Sequence, residues 1–329
     1  MLATDIYREV VGMQNFQMGA VISIVLLIPA LFAFALDQYS RKRQASQLTS
    51  RAVVYVPKPH KARDNICLVY CILITLLVFA MLGMAQFGAL VKFWPYNLSL
   101  TLKHYNFEVA GLGWDSFYNS VRMSLYAAFF GTILIFVGSY LVEKMRADKS
   151  LREILQMVAL MPMAIPCIVL GLAYIFFFNA RENPLNFIYA TMAILVINTV
   201  VHFYTVSHLS AVTAIKKLDQ EFESVSLSLK VPIYKMFFKI TLPVCLPTVF
   251  DIFIYLFCNA MTTVSGVIFL YSYDTTLASV SAIHLDEQGD VAGAAAMAML
   301  IVYISFVVRG LHTLVSTLLL KRTQAWRNI

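Results

Sequence analysis

Seven runs of about 20 or more mostly apolar residues constrain this chain more than any other feature of its sequence. A helix needs about 20 such residues to cross the hydrocarbon core of a bilayer. Only 13% of the residues are charged, against about 25% in a soluble domain, which is too little to cover a water-exposed surface. The sequence therefore predicts an all-α, polytopic transmembrane helical bundle and argues against a soluble enzyme or a nucleic-acid-binding module. The predicted spans are 16–37, 66–91, 117–142, 154–178, 187–211, 245–270 and 293–318.

The Lys and Arg residues predict how these spans are oriented. Segment 38–65, the connections 143–153 and 212–244, and the C-terminal tail together hold 19 of the 25 basic residues. Cytoplasmic loops of membrane proteins carry the excess of Lys and Arg, so these four segments are predicted to be cytoplasmic. The N-terminus is then predicted to lie outside, and the C-terminus in the cytoplasm.

Two stretches of the sequence resemble each other at a separation of about 274 residues. Residues 13–20 and 287–294 both end in Gly-Ala and run into an apolar helix that crosses inward, and residues 2–4 echo residues 277–279 just upstream. Chance similarity among Gly- and Ala-rich helix starts is one explanation. The other is that span 16–37 is the last helix of a preceding half, as in transporters built from repeated halves.

The connection 212–244 is the longest predicted cytoplasmic connection between adjacent spans, and its sequence is not that of a linker. Asp219 is suited to cap a short helix, because its carboxylate can accept bonds from free backbone N–H groups. Pro232 ends this helix, and residues 233–240 predict a second, amphipathic helix. Apolar residues in a wet segment either need a protein partner or lie on the lipid surface. The chemistry of the loop by itself leaves both possibilities open.

The same connection resembles the EAA loop of permease subunits in binding-protein-dependent ABC importers. That motif reads Glu-Ala-Ala, three residues, Gly, nine residues, Ile, one residue, Leu-Pro. Ile240, Leu242 and Pro243 match its end, and this register places Lys230 at the Gly and Ser224 at the Glu. The chain therefore matches the end of the motif and departs from it at the Glu and the Gly.

A more specific resemblance is to 2-aminoethylphosphonate permeases, which are relatives of the ferric-iron permeases. Residues 229–232, 259–265, 269–279 and 51–59 carry it, and it extends over nearly the whole chain. It implies a type I ABC importer permease fold. The implied division is an outside N-terminal segment with the first span at 1–37, a basic linker at 38–65, a six-span permease domain at 66–321 and a cytoplasmic tail at 322–329.

The resemblance also implies a mechanism, in which the loop docks in a groove of an ATP-binding subunit and ATP-driven closure rocks the permease. The chain itself is expected to be no enzyme and to bind no cofactor, because its sequence has no phosphate-binding loop motif. The implied partners are a dimer of ATP-binding subunits, a second permease half (fused, separate or identical), a periplasmic solute-binding protein and membrane lipid, without nucleic acid. The coupling residues carried over by position are Glu221, Phe222, Glu223, Ser224, Leu227, Leu229, Lys230, Pro232, Ile240, Leu242 and Pro243.

Polar residues inside the predicted spans are candidates for the translocation path, because they are costly in lipid and tend to face an interior or a wet cavity. The same residue types also serve helix packing, and both roles stay open here. Asn119, Ser120 and Arg122 form a weaker set, and a structural pairing is predicted for Asp251. The main candidates are Asn198, His202, Asn259, Thr262, Thr263 and Ser265.

Two further features are interpreted as structural. Pro162 and Pro166 predict a kink in the fourth span, since each proline removes a backbone N–H from the helix. His284 lies close in sequence to three carboxylates within residues 286–290, and these are suitable metal ligands. A solvated loop, or a docking surface for a binding protein, is nevertheless favoured over a metal site.

The leading hypothesis is a transmembrane permease subunit of an ABC importer in a bacterial inner membrane. Its expected substrate is 2-aminoethylphosphonate delivered by a periplasmic binding protein, followed by ferric iron or another small solute. A hypothesis from another class is a seven-span receptor or sensor, which gives no reason for the Ile-x-Leu-Pro ending. An ion-driven carrier predicts more carboxylates inside the spans than this sequence has.

Overall fold

A computed structural model describes residues 2–43, 59–107, 114–144, 149–218 and 221–323 of the chain. Within these ranges four helices are long and apolar enough to cross a membrane, and three bent helix pairs bring the number to seven if each pair is one span. Each of these elements overlaps one of the seven predicted spans, so the predicted transmembrane bundle is confirmed.

The helices are numbered in chain order. Much of the predicted linker 38–65 and of the tail 322–329 lies outside the described residues. The helices are α1 (Leu2–Tyr7), α2 (Phe16–Arg43), α3 (Lys61–Leu90), α4 (Asp115–Lys144), α5 (Lys149–Leu160), α6 (Cys167–Phe178), α7 (Met192–His202), α8 (Tyr204–Lys216), α9 (Glu221–Ser228), α10 (Ile233–Met236), α11 (Leu242–Val244), α12 (Leu246–Thr262), α13 (Ala278–Glu287) and α14 (Val291–Thr323).

Proline breaks the fourth span completely. The segment formed by α5 and the 3-10 helix Met161–Ala164 meets α6 at an angle of 106°. Ile165 is extended, with φ of −93° and ψ of 119°, as expected for a residue that precedes proline. The predicted kink is therefore confirmed, and Pro166 stands where the new helix begins.

The predicted span 245–270 is wrong in its final third. α12 ends at Thr262, and the residues that follow form turns. A Cβ atom on Gly171 of α6 would lie 2.6 Å from the carbonyl oxygen of Gly266, and one on Gly266 would lie 2.6 Å from the Cys167 sulfur. The two glycines let the backbone of this segment pack directly on α6, which a continuous helix with side chains would not allow.

The buried residues form two clusters. The larger one joins α4, α8, α12, α13 and α14 and includes Ile135 and Leu256. The other joins α1, α6, α7 and the turns after α12, and it includes Ile6 and Leu172. α3 packs at the edge of the bundle against α14. The strand pair β1 (Val91–Phe93) and β2 (Asn97–Leu100) follows α3 as a short antiparallel hairpin that the all-α prediction did not include.

Two segments near opposite ends of the chain repeat one structural motif. In both, a short helix turns into a long one, α1 into α2 and α13 into α14. Each turn contains a left-handed residue, Gln14 with φ of 52° and Gly289 with φ of 84°. The next residue caps the long helix, since Asn15 and Asp290 each accept a bond from the backbone N–H three positions on, at 3.1 and 2.9 Å. The sequence echo therefore extends to local geometry.

Candidate coupling loop and membrane cavity

The connection between α8 and α12 contains the predicted short helix, α9, although Asp219 lies outside the described residues. At its end the Val231 N–H donates to the Ser226 carbonyl at 2.8 Å, and Lys230 has a φ of 51°. This is the left-handed helix ending at which Gly is preferred. Lys230 thus has a backbone conformation that favours Gly, the residue at this position of the EAA motif. The alignment of Lys230 with that Gly is therefore consistent with the geometry of the loop.

Apolar side chains of this loop are exposed. The exposed fraction is 47% for Phe222, 56% for Val225 and 70% for Leu229, and Ile233 and Tyr234 of the next helix are exposed as well. Such a surface needs cover from lipid or from another protein. The side chains of three predicted coupling residues lie outside the described part of the chain, namely Glu221, Glu223 and Leu227.

The second helical segment of the loop anchors it to the bundle. The Phe237 ring is buried, with its centroid 4.7 Å from that of Tyr140 and 5.9 Å from that of Phe136, both on α4. The Tyr140 hydroxyl donates to the Ile233 carbonyl at 3.4 Å. The loop therefore has one exposed face and one face packed on α4. The matched end of the motif lies just beyond this anchor: Ile240, Leu242 and Pro243.

A cavity of about 840 Å³ opens beside the loop, between α8 and the start of α12, and is called the α8–α12 cavity below. Val206, Ser210 and Thr213 line it from α8, and Lys217 lines it from the C-cap of that helix, at spacings of three and four residues that place them on one face. Thr248 lines it from the first turn of α12. Its walls are thus partly polar although both helices are assigned to spans.

Two predicted path residues extend this polar surface along α12. Asn259 and Thr262 share a helix face with Thr248, and the three extend over about 21 Å of helix. Thr262 is exposed, whereas Asn259 is half-buried and its amide donates to the Tyr255 carbonyl at 2.7 Å. The buried, apolar Ile252 lies between Thr248 and Asn259 on this side of the helix, so the polar positions are not continuous.

His202 lies at the 54° bend between α7 and α8, one turn before Val206. The Phe203 ring contacts the His202 ring at 4.6 Å and the Tyr255 ring at 6.1 Å between centroids. The bend therefore abuts the polar face of α12. His202 lies next to the α8–α12 cavity, and it is not among the described residues that line it.

Asn198 and Thr263 lie inside the chain. Asn198 is 1% exposed, and a Cβ atom on Gly266 would lie 2.8 Å from its amide nitrogen. Thr263 is 9% exposed, and its carbonyl accepts a bond from the Ser279 hydroxyl at 2.6 Å. Ser265 is exposed in the turns that follow α12. These three predicted path residues lie in or beside the glycine-packed segment, and their role in transport stays a prediction.

Asn119 and Ser120 support the connection between α12 and α13. The Asn119 amide donates to the Asp274 carbonyl at 2.8 Å, and the Ser120 hydroxyl accepts from the Ala278 N–H at 2.8 Å. Both side chains therefore hold neighbouring backbone in place, which is the packing role that the sequence left open beside a role in the translocation path. Arg122 is exposed on α4.

Asp251 pairs with a histidine of the last helix, as its predicted structural role requires. Its Oδ1 lies 3.2 Å from Nε2 of His312, which is 8% exposed. His312 lines a separate apolar cavity of about 400 Å³ between α4, α12 and α14. The carboxylate is thus directed towards α14 and not into the α8–α12 cavity.

A polar cluster ties α1 to α13 at the other end of the bundle. The Tyr7 hydroxyl donates to Glu287 at 3.0 Å, and His284 lies 2.8 Å from the Tyr271 hydroxyl and 3.6 Å from Glu287. Burial, and then the bond to Glu287, raise the pKa of Tyr7 to about 12. Among the described residues no three His, Cys, Asp or Glu side chains lie close enough to hold a metal.

Broken spans, a partly polar cavity between them and a helical loop with an exposed apolar face define a polytopic membrane permease. Residues 134–321 match the family described as binding-protein-dependent transport system inner membrane component. This match covers more than half of the chain, which therefore belongs to that family. The prediction of an inner-membrane transport component, and not an enzyme, is confirmed.

Relatives of known name fall into the two predicted groups. The ferric transport system permease protein FbpB of Actinobacillus pleuropneumoniae is 26% identical over 318 residues, which cover 93% of this chain and 45% of that protein. A Salmonella typhimurium protein, provisionally named 2-aminoethylphosphonate transport system permease protein PhnV, is 24% identical over 251 residues, or 75% of this chain and 92% of that protein. The chain spans about half the length of the ferric relatives that it matches.

Solved structures confirm the predicted fold. A bacterial ABC transporter involved in the import of the acidic polysaccharide alginate superposes with a TM-score of 0.64 at 15% identity, over 78% of this chain and 97% of that one. The MetNI methionine ABC transporter superposes with a TM-score of 0.53 at 14% identity, over 64% of this chain and 95% of that one. The bundle is therefore an ABC transporter permease fold.

Proposed function

We propose that this chain is the permease subunit of an ATP-driven importer that receives a small solute from a periplasmic binding protein. The exposed apolar face of α9 and α10, on a loop whose other face is packed on α4, is the observation that carries the proposal. A loop whose first helix is exposed and whose second helical segment is fixed to the bundle can pass rigid-body motion from an ATP-binding subunit into the spans. The positive-inside distribution supports a cytoplasmic location for this loop and for the C-terminus.

The charge of α9 favours a protein partner over the lipid surface. Helices that lie on a membrane carry Lys and Arg beside their apolar face, and the inner leaflet is negatively charged. α9 contains Glu221 and Glu223 and has no Lys or Arg in its sequence. An acidic helix with exposed Phe222 suits a protein groove better than an anionic membrane.

The test is retention of the ATP-binding subunit of the same transport system. Phe222→Asp and Leu229→Asp are expected to abolish its copurification with this chain and ATP-dependent solute uptake, because each places a carboxylate in the docking face. Tyr273→Asp is the matched control, since Tyr273 is 89% exposed and lies outside the loop. Full retention of the ATP-binding subunit by Phe222→Asp would refute the proposal. No association of the unmodified chain with any ATP-binding subunit would favour the seven-span receptor.

A second permease half is the proposed partner inside the membrane. α2 lies on α6, with the Phe16 and Phe176 rings 6.4 Å apart and the site of a Gly19 Cβ atom 3.8 Å from Leu172. Because α2 repeats the geometry of α14, an equivalent contact is expected between α14 and the α6 of another half. Ala298 is exposed on α14 and offers a position from which such a contact can be probed. In this chain α2 already covers α6, which favours a non-identical half over a second copy.

Disulfide or photochemical crosslinking from position 298 tests this pairing. Ala298→Cys is expected to crosslink to a different membrane subunit of the system, whereas Leu77→Cys on the exposed surface of α3 is expected to give no product. Coexpressed copies with two different tags distinguish the outcomes. A product that contains both tags would show a homodimer and refute the non-identical half.

2-Aminoethylphosphonate is the proposed substrate, with ferric iron as the second candidate. The two groups of relatives support one candidate each. A strain that lacks this chain is expected to lose growth on 2-aminoethylphosphonate as sole phosphorus source and to keep growth under iron limitation. Loss of growth only under iron limitation would reverse the order of the candidates and leave the permease proposal intact.

A further inference from the structure

We propose that the α8–α12 cavity binds an oxyanion, with the Lys217 ammonium and the Thr248 hydroxyl as its donors. The inference rests on the proposed transport function. It names the chemical group of the solute that would pass through the cavity, which is a phosphonate or similar oxyanion and not a bare metal cation. The cavity volume of about 840 Å³ lies in the range of small-ligand sites.

The charges around the cavity have one sign. Lys217 is the one charged side chain among the described residues that line it, and these include no Asp or Glu. Two described acids on neighbouring helices are engaged elsewhere. Asp251 lies 3.2 Å from His312, and Glu143 lies 2.9 Å from Arg152 and 3.8 Å from Lys216. An anion in the cavity therefore meets no carboxylate on its walls.

Some polar side chains of the cavity donate hydrogen bonds within the chain, and others have no partner there. Ser210 and Thr213 donate to carbonyls four residues earlier on α8, at 3.0 and 2.7 Å. In the described part of the chain, the side chains of Lys217 and Thr248 have no hydrogen-bond or ion-pair partner, whereas the Lys217 backbone N–H donates to the Ala214 carbonyl at 3.2 Å. Two donors on facing walls are thus open to a ligand, and a hydrogen bond from a cation to an oxyanion is among the strong ones.

The helix ends add a smaller contribution. Thr248 lies in the first turn of α12, where the helix dipole favours negative charge. Lys217 follows the last turn of α8, where the dipole places about half of a negative charge. The full positive charge of Lys217 exceeds that partial charge, so the cavity stays attractive to an anion.

A bare ferric ion is a poor fit. Hard metal cations take oxygen ligands, chiefly carboxylates, and the described lining offers one cation and neutral groups. A phosphate headgroup of an inner-leaflet lipid has the same oxyanion chemistry as a phosphonate solute. The experiment therefore has to separate these two sources.

The test compares Lys217→Gln, Lys217→Arg and Thr248→Val in the full transporter. Lys216→Gln is the matched control, because Lys216 is the preceding residue and is directed to Glu143. Uptake of radiolabelled 2-aminoethylphosphonate is measured in cells over a range of concentrations. We expect Lys217→Gln to raise the apparent KM about tenfold, the scale of a hydrogen bond to a charged group. Lys217→Arg is expected to stay near the wild-type value, and Lys216→Gln to change nothing.

Each outcome decides between named alternatives. If the KM for uptake is unchanged in Lys217→Gln, the inference about the cavity is overturned. The proposed function still holds in that case, because the wild type takes up the solute. Absence of uptake by the wild type in both assays, with phosphonate and with ferric iron, defeats the proposed function itself. A lipid headgroup is assigned to the site if phospholipid copurifies with the wild type, is lost in Lys217→Gln, and uptake is the same in both. That result overturns the solute assignment.

Discussion

Replacing Lys230 by Gly is expected to stabilise the end of α9. Lys230 has a φ of 51°, a conformation in which the Cβ atom of an L-residue crowds the following carbonyl. The crowding costs about 1–2 kcal/mol, and Gly avoids it at the expense of a more flexible unfolded chain. A net gain of about 1 kcal/mol corresponds to about a fivefold shift of the local folding equilibrium.

Hydrogen exchange of the purified chain measures this shift. The Val231 N–H, bonded to the Ser226 carbonyl at 2.8 Å, reports on the closed helix end. Its exchange should slow about fivefold in Lys230→Gly. Lys230→Ala should behave like the wild type, because Ala has the same Cβ atom. Lys230→Pro should exchange faster, because its ring fixes φ near −65°.

Two results would refute this reasoning. If Lys230→Gly exchanged as fast as Lys230→Ala, the left-handed conformation would not limit the stability of the helix end. If Lys230→Pro kept the protection of the Val231 N–H, the turn would not have the geometry described. In both cases the agreement between Lys230 and the Gly of the motif would lose its physical basis.

Three further changes test the packing of the bundle. Gly266→Ala is expected to lower the midpoint of thermal unfolding, because overpacking at this site costs about 1–3 kcal/mol of stability. Gly310→Ala should leave the midpoint unchanged, because a Cβ atom there meets no atom within 4 Å. Glu143→Gln removes the acceptor shared by two cations at the ends of α4, α5 and α8, and a loss of about 1 kcal/mol that shrinks in high salt is expected in thermal unfolding. Tyr7, with its pKa raised to about 12, stabilises the fold below pH 10 and loses that contribution as pH rises from 10 to 12. Tyr7→Phe should therefore remove one late step from the 295 nm titration, together with the loss of stability that Tyr7 causes in that window.

The spans were predictable because their cause is local. The length of each apolar run and the position of each basic segment depend only on residues close in sequence. The same holds for the break at Pro166 and for the end of α9 before Pro232, since proline acts on its own backbone and on that of the residue before it.

The cavity and the break after α12 were not predictable in the same way. α12 ends at Thr262, and in the turns that follow Gly266 packs on Gly171, a contact between segments far apart in the sequence. Thr248 and Lys217 line a cavity only because α8 and α12 face each other in the fold. In sequence, Thr248 is one of many hydroxyl residues in apolar runs and Lys217 one of many basic residues at a span end, so no pattern distinguished them.

The coupling loop and the α8–α12 cavity are connected through the chain itself. The loop joins the end of α8 to the start of α12, and these two helix ends are the walls of the cavity. Phe237 holds the second half of the loop on Tyr140 of α4, with ring centroids 4.7 Å apart. A force applied to the exposed face of α9 therefore reaches both walls through a few residues, while α4 supports one side. Since packed interfaces shift between discrete arrangements and do not deform continuously, we expect a rigid-body displacement of α9 to change the width of the cavity that Lys217 lines.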